Sequence, residues 1–333
     1  MSPGIAATMR AAVYDRYGGI EQLRLEDVPV PAPRSGEVLV EVVATSINLS
    51  DWEGLRGSPA YARIAGGLRR PRQRVLGSDI AGRVAAVGDG VTRFGVGDEV
   101  YGDNLARKGG FSQFAVAPET ALAFKPAGLT FAEASAIPQA GAIALQAIAR
   151  GRPGERILIN GAGGGSGAFA IQLAASAGMH VTGVDNAAKL DFMRELGADR
   201  VLDYRAKDPA RGDFTRTGPY DLIVDFVAHR SVFACRRALA PGGRYYVVGG
   251  TLRALLRVLT AGAIVGALSG TKLRVLVVRE GPEQFTPMTD LIVGGDVRLR
   301  IDRRFPLEEV AAALAHHGEG RARGKVIVEV QAT

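Results

Sequence analysis

The sequence is poor in the residues that bind metals through sulfur or imidazole: its 333 residues include one cysteine, Cys235, and four histidines. A single cysteine excludes an internal disulfide and any structural zinc site that needs several thiolates. Cys235 lies in the stretch SVFACRRALA, where a small buried side chain is a better interpretation than a nucleophile. His316 and His317 are adjacent and point in different directions on a helix. The sequence therefore predicts no metal site.

Uninterrupted apolar runs are short. The richest stretch, residues 254–268, contains Arg257 and several glycines, so we expect no membrane-spanning segment and no membrane partner. The first residues, MSPGIAATMR, lack a basic leader followed by an apolar core, which favours a cytoplasmic location. The net charge of +7 comes from 41 basic residues that are scattered along the chain, so we expect no nucleic-acid partner.

The pattern of apolar residues changes near residue 125, and the length of 333 residues favours two domains. Before residue 125, alternating runs such as EVLVEVVAT are separated by Pro and Gly clusters, which is typical of an antiparallel β domain. After it, strand-like and helix-like runs alternate, which predicts a parallel sheet with helices on both faces. Strands are expected near residues 156–159, 180–184, 200–202, 222–225 and 244–248, with a sixth near 273–278.

The most informative motif is ILINGAGGGSG at residues 157–167, which runs into the apolar stretch AFAIQLAASAG. A glycine-rich turn between a strand and a helix lets main-chain N–H groups approach a pyrophosphate, and the helix amino terminus favours its charge. Glycines also make tight turns for packing alone, but the strand–turn–helix context favours a dinucleotide site. We predict that the pyrophosphate is bound by Gly161, Gly164, Gly165, Ser166 and Gly167.

Several segments carry a family resemblance in the family's order: MRAAVYDRYGG, EVLVEVVATSINLSDW, VLGSDIAGRVAAVGDGVTRFGVGDEVYG, GGFSQFAVAPE, the glycine turn, LGADRVLDY, LAPGGRYYVVGG and GKVIVEV. Together they resemble a medium-chain dehydrogenase/reductase of the zinc-independent, quinone-reductase-like branch. The resemblance implies an α/β fold with a GroES-like β-rich catalytic domain (1–125), a Rossmann doubly wound parallel-sheet domain (126–280) and a C-terminal segment (281–333) that returns to the catalytic domain. It also implies a nicotinamide dinucleotide in the cleft and a homodimer.

The zinc branch of that superfamily has a Gly-His-Glu segment where this chain has Gly77-Ser78-Asp79. The resemblance therefore implies chemistry without a metal, so catalysis depends on positioning and on hydrogen bonds to a growing negative charge. A carbonyl conjugated to the hydride acceptor spreads that charge. This favours a small-molecule quinone or α,β-unsaturated carbonyl as the substrate.

Catalytic candidates lie in SINLSDWEGLRGSPAY. By resemblance, Asn48 matches a polar position near the nicotinamide and its ribose, and Asp51 matches a following acidic position. Tyr61 is a candidate oxyanion donor or proton source because its phenol donates a hydrogen bond. The alternative interpretations are a turn-capping Asn48, a helix-capping Asp51 and a packing Tyr61.

Two positions depart from the family pattern. Ile143 stands where the family usually has a threonine that is associated with contacting the cofactor, so a hydroxyl contact is lost. Gln139 replaces a residue that is commonly apolar. These departures concern the pocket and not the fold.

The choice of cofactor depends on the end of the second Rossmann strand. Asp185 is placed to bind the ribose hydroxyls of NAD and to repel a 2′-phosphate. By resemblance, Lys189 and Tyr204 match positions that contact that phosphate, with Arg205 adjacent, so we expect NADPH, with NADH possible. Further cofactor contacts are expected from Phe226 and Val227, and from Gly249 and Gly250 beside the nicotinamide; the two glycines also fit a plain turn.

Two other functions stay open at this point. One is a zinc-free NAD(P)-dependent alcohol dehydrogenase or carbonyl reductase that acts on an unconjugated carbonyl. The other is a dinucleotide-binding protein with a non-redox role, such as a cyclisation. The polar residues Asn48, Asp51 and Tyr61 favour an enzyme.

Overall fold

The computed structural model describes residues 5–208 and 212–331, and it divides into two compact units. The first unit comprises residues 1–142 and 280–333, and the second comprises residues 143–279. The first division thus falls after residue 142, whereas the sequence pattern changes near 125. The reason is that Phe131, Ala134 and Ala142 belong to a hydrophobic cluster built on the sheet of the first unit.

Fifteen strands and eleven helices are named here within the described residues. The strands are β1 Thr8–Val13, β2 Arg24–Pro29, β3 Glu37–Ser46, β4 Asp79–Val87, β5 Glu99–Asp103, β6 Phe114–Pro118, β7 Leu122–Phe124, β8 Arg156–Asn160, β9 His180–Asp185, β10 Arg200–Asp203, β11 Tyr220–Asp225, β12 Leu239–Val247, β13 Lys272–Val275, β14 Ile301–Pro306 and β15 Lys325–Glu329. The helices are α1 Leu49–Arg56, α2 Ala60–Gly66, α3 Phe131–Ser135, α4 Pro138–Ile148, α5 Gly165–Ser176, α6 Leu190–Glu195, α7 Val232–Ala238, α8 Leu252–Arg257, α9 Ala263–Ser269, α10 Pro282–Val293 and α11 Val310–Gly318.

The second unit is built on a six-stranded parallel sheet in the order β10-β9-β8-β11-β12-β13. This is the Rossmann order, in which the strand order reverses between β8 and β11 and a ligand site lies at the carboxyl ends of these parallel strands. All six predicted strands are present. The predicted α/β fold class, with a Rossmann sheet, is therefore confirmed.

The first unit is built on a seven-stranded sheet in the order β14-β15-β3-β4-β5-β7, and β6 also pairs with β3. Strand β15, near the carboxyl end of the chain, pairs antiparallel with β3, so that Ile327 lies opposite Ser46. The valines of β15 are fully buried and pack with residues from the amino-terminal part of the chain. Residues that are far apart in sequence therefore meet at the end of β3.

Residues 252–269 of the second unit form one helical segment. Helices α8 and α9 are joined by a π-helical turn, Val258–Gly262, into a segment that runs from Leu252 to Ser269. By length and composition alone, this segment is long and apolar enough to cross a membrane. Arg257 and the glycines do not interrupt it, because a helix accommodates them without ending.

Candidate active site

Asn48 is the centre of a buried polar cluster in the first unit. It follows β3 and precedes α1, and its side-chain nitrogen donates to Ser78 Oγ (3.1 Å) and to Asp79 Oδ2 (2.8 Å). Its side-chain oxygen accepts from Lys325 Nζ at 2.7 Å. Both ends of the amide are therefore fixed by the protein, so Asn48 has one well-defined orientation.

Asp51 holds the start of α1 in place. Its carboxylate accepts from the main-chain N–H of Asn48 (3.0 Å) and from that of Gly77 (3.1 Å). The side chain is fully buried, and this burial raises the pKa of its carboxyl group. Because each carboxylate oxygen is taken up by a backbone donor, the geometry favours the capping interpretation of Asp51.

Tyr61 lies on α2, apart from the hydrogen bonds of the Asn48 cluster. Its hydroxyl donates to Glu53 Oε2 at 2.7 Å. Burial raises the pKa of both groups, and the neighbouring Glu53 raises that of Tyr61 further. Within the described ranges, the structure therefore groups Tyr61 with Glu53 and groups Asn48 with Asp51.

Asp79 and Lys325 form a buried ion pair that sequence reasoning missed. Their closest atoms, Asp79 Oδ2 and Lys325 Nζ, are 3.5 Å apart. The same carboxylate oxygen accepts from Ser46 Oγ (2.9 Å), and Oδ1 accepts from the N–H of Gln139 (3.1 Å). Burial lowers the pKa of Lys325, while the Asp79 carboxylate opposes that change. The GKVIVEV segment was recognised for fold, but nothing in its local pattern places Lys325 beside Asn48.

Asp103 is a second acidic group that the sequence analysis did not select. It lies opposite Asp79 in the β4–β5 pairing, and its pKa is raised by burial and then by the charge of Asp79. The side chain of Gln139 donates to Asp103 at 3.3 Å and accepts from Ser50 Oγ at 3.0 Å. Gln139, which departs from the family pattern, therefore holds Asp103 next to the cluster.

The residues at 77–79 do not fit the zinc site of the related metal enzymes. Ser78 Oγ accepts from Asn48, and the Asp79 carboxylate already has the Lys325 ammonium as its counter-ion. The described ranges contain no group of three or more His, Cys, Asp or Glu side chains arranged to hold a metal ion. A cationic ammonium next to the carboxylate is unfavourable for a divalent cation at the same place.

The glycine turn of the second unit has the geometry of a dinucleotide site. It leaves β8, and Gly161 adopts a φ of +85°, which favours glycine. A Cβ at Gly167 would lie 2.3 Å from the carbonyl oxygen of Gly161, so only glycine allows this close packing. Gly164 precedes α5, and Gly165 and Ser166 form its first turn, where main-chain N–H groups have no partner inside the helix.

Asp185 and Lys189 pair with each other at the end of β9. Lys189 Nζ lies 3.4 Å from Asp185 Oδ1, and both side chains are buried. The same carboxylate accepts from the N–H of Gly163 at 3.0 Å. The sequence predicts that Asp185 binds the ribose hydroxyls and that Lys189 contacts a 2′-phosphate. In the structure, the two side chains form an ion pair with each other.

Tyr204 and Arg205 provide exposed groups beside that pair. The main-chain N–H of Tyr204 donates to the carbonyl oxygen of Asp185 at 3.1 Å, and 47% of Tyr204 is exposed. Arg205 Nε donates to the Tyr204 hydroxyl at 3.0 Å, with the guanidinium 5.2 Å from the ring centre. An accessible cation and a phenol therefore stand at the end of the second Rossmann strand.

The loops after β11 and β12 meet at the same edge of the sheet. Asp225 is fully buried, and its Oδ1 accepts from Asn160 Nδ2 (2.8 Å) and from the N–H of Val227 (2.9 Å). Phe226 and Val227 lie against Gly161, and Gly250 lies against Ala228. Gly249 and Gly250 have φ values of 72° and 99°, as a sharp turn requires. Asp225 thus fixes the loop, while Phe226 and Val227 border the glycine turn.

Comparisons with known proteins agree with this architecture. Residues 34–146 match the family model described as alcohol dehydrogenase GroES-like domain, and residues 196–328 match the model described as zinc-binding dehydrogenase. The chloroplast envelope quinone oxidoreductase homolog of Arabidopsis thaliana is 33% identical, over 96% of this chain and 98% of that protein. The NADPH-dependent alkenal/one oxidoreductase of the same plant is 30% identical, over 97% and 80%. The solved quinone oxidoreductase of Coxiella burnetii superposes with a TM-score of 0.86 at 26% identity, over 97% and 100%.

Proposed function

The chain belongs to the medium-chain dehydrogenase/reductase superfamily, in its zinc-independent, quinone oxidoreductase-like branch, and from this premise we propose that it is an NADPH-dependent reductase of quinones and α,β-unsaturated carbonyls. The observation that carries the proposal is the polar cluster around Asn48. There, an amide, a serine hydroxyl and a Lys325–Asp79 pair replace a metal-ligand set, while the second unit has the glycine turn of a dinucleotide site.

The reaction class follows from these donors. When bound, the reduced nicotinamide supplies a hydride. A conjugated acceptor delocalises the resulting negative charge onto its oxygen, so hydrogen-bond donors are sufficient to stabilise it. Both amide hydrogens of Asn48 are taken up by Ser78 and Asp79, so Asn48 is proposed to shape the substrate pocket and to hold Ser78 in place, and not to donate to the substrate. Asp51 supports it by holding the start of α1.

Tyr61 is the proposed proton source. Its hydroxyl donates to Glu53 Oε2 at 2.7 Å, and burial raises the pKa of the Glu53 carboxyl group. When Glu53 carries the proton, it donates to the Tyr61 oxygen, and the Tyr61 proton is then directed away from Glu53. Glu53 thereby resupplies the proton that Tyr61 gives to the reduced substrate.

The cofactor is a nicotinamide dinucleotide, and we propose NADPH as the preferred form. Asp185 would repel a 2′-phosphate, but Lys189 neutralises it, and the accessible Tyr204–Arg205 pair supplies a cation and a hydroxyl. The name of the Arabidopsis alkenal/one oxidoreductase also states NADPH dependence. NADH is the alternative. A homodimer and a cytoplasmic location stay predictions from the sequence.

A panel of acceptors tests the proposal. NADPH oxidation is measured with quinones, enones and simple aldehydes at equal concentration, and then with NADH. We expect turnover with the quinones and enones and little with the aldehydes. Preferential reduction of simple aldehydes would favour the alcohol dehydrogenase alternative. Dinucleotide binding without any turnover would favour the non-redox alternative.

A further inference from the structure

Gln139 differs from the other polar residues around Asn48 because its side-chain nitrogen is only loosely held. The side-chain oxygen accepts from Ser50 Oγ at 3.0 Å, which is an ordinary hydrogen-bond distance. The side-chain nitrogen lies 3.4 Å from Ser78 Oγ, and 3.4 and 3.3 Å from the two carboxylate oxygens of Asp103. All three distances exceed the usual upper limit of about 3.2 Å. The amide is therefore oriented through its oxygen, and its two hydrogens have only weak acceptors.

The main chain of Gln139 is fixed at the start of a helix. Gln139 follows Pro138, the first residue of the eleven-residue helix α4, and its N–H donates to Asp79 Oδ1 at 3.1 Å. The first turn of a helix carries a partial positive charge that favours a negative group nearby. A negatively charged atom at the Gln139 amide would thus be stabilised by the helix as well as by the hydrogen bond.

The other hydrogen-bond donors of this cluster are already used or buried. Both amide hydrogens of Asn48 are taken up inside the cluster, and Ser46 Oγ donates to the carboxylate that pairs with Lys325. Lys325 and Ser78 have relative exposures of 3% and 0%. Gln139, in contrast, is partly exposed, so a ligand is able to contact it. Among these described residues, Gln139 combines an accessible side chain with hydrogens that lack strong acceptors.

The charges around Gln139 are compatible with a negatively charged ligand atom. The Asp79 carboxylate already has a buried ammonium as its counter-ion. Burial and then the charge of Asp79 raise the pKa of the Asp103 carboxyl group, a shift that reduces its competition for the Gln139 amide. The Lys108 ammonium lies 3.4 Å from the main-chain oxygen of Ser50 and adds a positive charge beside the residue that orients Gln139.

We propose that the side-chain nitrogen of Gln139 donates a hydrogen bond to the carbonyl oxygen of the substrate. This inference rests on the proposed reductase function and deepens it. Hydride addition to the β-carbon of an enone moves the π electrons onto the oxygen, which is an enolate until the proton from Tyr61 neutralises it. A hydrogen bond to that charged oxygen is stronger than one to the neutral carbonyl, so Gln139 stabilises the transition state more than the bound substrate.

The proposal gives a physical reason for the departure of Gln139 from the family pattern. The apolar residue that the family commonly has at this position offers no hydrogen-bond donor. In this chain, an amide that is held by Ser50 supplies one. Gln139 is therefore a catalytic residue in this proposal, and Ser50 is a positioning residue.

Gln139→Met tests the contact during turnover. Methionine has a similar length but no N–H group, so we expect kcat with an enone to fall about a hundredfold while dinucleotide affinity is unchanged. Gln146→Met is the matched control on the same helix, since the Gln146 amide bonds only to the main chain of Arg279. It should leave kcat unchanged. Full kcat in Gln139→Met would overturn the proposal.

A titration of 4-nitrophenol tests the same contact without turnover. The phenolate oxygen stands in for the enolate oxygen, and absorbance reports its ionisation. In the presence of wild-type protein and NADP⁺, we expect the pKa of the bound phenol to lie about one pH unit below its value in solution, because the donated hydrogen bond stabilises the phenolate. This lowering should be lost in Gln139→Met and kept in Gln146→Met. An unshifted pKa on the wild-type protein would contradict the proposal.

The two measurements distinguish failure of this inference from failure of the proposed function. Wild-type protein that reduces no quinone or enone would contradict the proposed function, while the titration still decides whether Gln139 binds an anionic oxygen. Wild-type turnover together with an equal phenolate shift in Gln139→Met would contradict this inference alone. Gln139→Leu, which introduces the apolar type common in the family, should lose the same activity as Gln139→Met. A loss in only one of the two variants would indicate altered packing and overturn the proposal.

Discussion

The ammonium of Lys325 donates a 2.7 Å hydrogen bond to the side-chain oxygen of Asn48, although 277 residues separate them. The contact arises because β15 pairs with β3, and the main-chain N–H of Ile47 donates to the carbonyl oxygen of Val326. Lys325 is almost completely buried, so its charge depends on Asp79 for compensation. The orientation of Asn48 is thus set by a residue that is 277 positions away in the sequence.

Lys325→Met tests this contact. Removing the ammonium leaves the buried Asp79 carboxylate without a counter-ion, so we expect the free energy of unfolding to fall by about 3 kcal/mol in urea denaturation. Adding Asp79→Asn should recover part of the loss. Lys272→Met, at an exposed position of β13, should change the unfolding free energy by less than about 0.5 kcal/mol. Equal effects at the two lysines would contradict the assignment of Lys325 as the buried counter-ion of Asp79.

Gly164→Ala separates cofactor binding from folding. The nearest atom to a Cβ at this position is the carbonyl oxygen of Gly161, at an ordinary 3.6 Å, so the fold should accept the methyl group. The methyl group would crowd the start of α5, and we expect the dissociation constant for the dinucleotide to rise about tenfold in calorimetry. Gly128→Ala, which meets no atom within 4 Å, is the matched control. Unchanged affinity in Gly164→Ala would place the pyrophosphate elsewhere.

Arg205→Gln tests the cofactor preference. The exposed guanidinium is the accessible cation beside Tyr204, so its loss should weaken NADPH binding about tenfold and leave NADH binding unchanged. Titration of the protein with each dinucleotide measures both constants. Lys207→Gln removes an exposed charge two residues away and should affect neither. Equal weakening of NADH and NADPH would argue against a 2′-phosphate contact.

Tyr61→Phe tests the proposed proton source. Removing the hydroxyl breaks the 2.7 Å contact with Glu53, and we expect kcat with an enone to fall by about ten- to a hundredfold while dinucleotide affinity is unchanged. Tyr17→Phe is a matched control, since its hydroxyl donates to the main-chain oxygen of Gly67. Retention of full kcat in Tyr61→Phe would leave Tyr61 with a packing role.

Asp103→Asn tests the raised pKa of that carboxyl group. A folded-state pKa above the unfolded value means that ionisation opposes folding, so the wild-type protein loses stability as the pH rises from about 4 through the folded-state pKa. The variant lacks this loss, and its unfolding free energy relative to wild type should therefore increase with pH. Urea denaturation of both proteins at a series of pH values measures this difference in unfolding free energy. Asp89→Asn, at an exposed position, serves as the control, and a pH-independent difference for Asp103→Asn would contradict the prediction.

The sequence was sufficient for the Rossmann sheet because its signals are local. Strand-like and helix-like runs alternate, and the turn at Gly161 and Gly167 uses residues whose conformation or packing excludes a side chain. Right-handed connections then restrict the arrangements that such a parallel sheet can adopt. Helix capping by Asp51 was also among the sequence interpretations, since an acidic residue three positions after Asn48 is a local signal.

The polar cluster could not be predicted in this way. Lys325, Asp79 and Asn48 come from three strand ends, and their meeting depends on pairings across the whole first unit. Asp185 and Lys189 were both recognised, but only the structure reveals that they neutralise each other. The sequence also did not reveal that residues 252–269 form one continuous helical segment, because Arg257 and the glycines there fit either a break or a helix.

The position of β15 in the sheet of the first unit has a consequence for biosynthesis. Residues 143–279 are continuous in sequence and contain every strand of the second unit's sheet. Strand β3, in contrast, pairs with β15, which is complete only when residue 329 has been synthesised. The nascent protein should therefore acquire a folded nucleotide-binding half before its amino-terminal half matures. A chain that stopped before residue 325 would leave Asn48 and the Asp79 carboxylate without the ammonium that they contact in the complete protein.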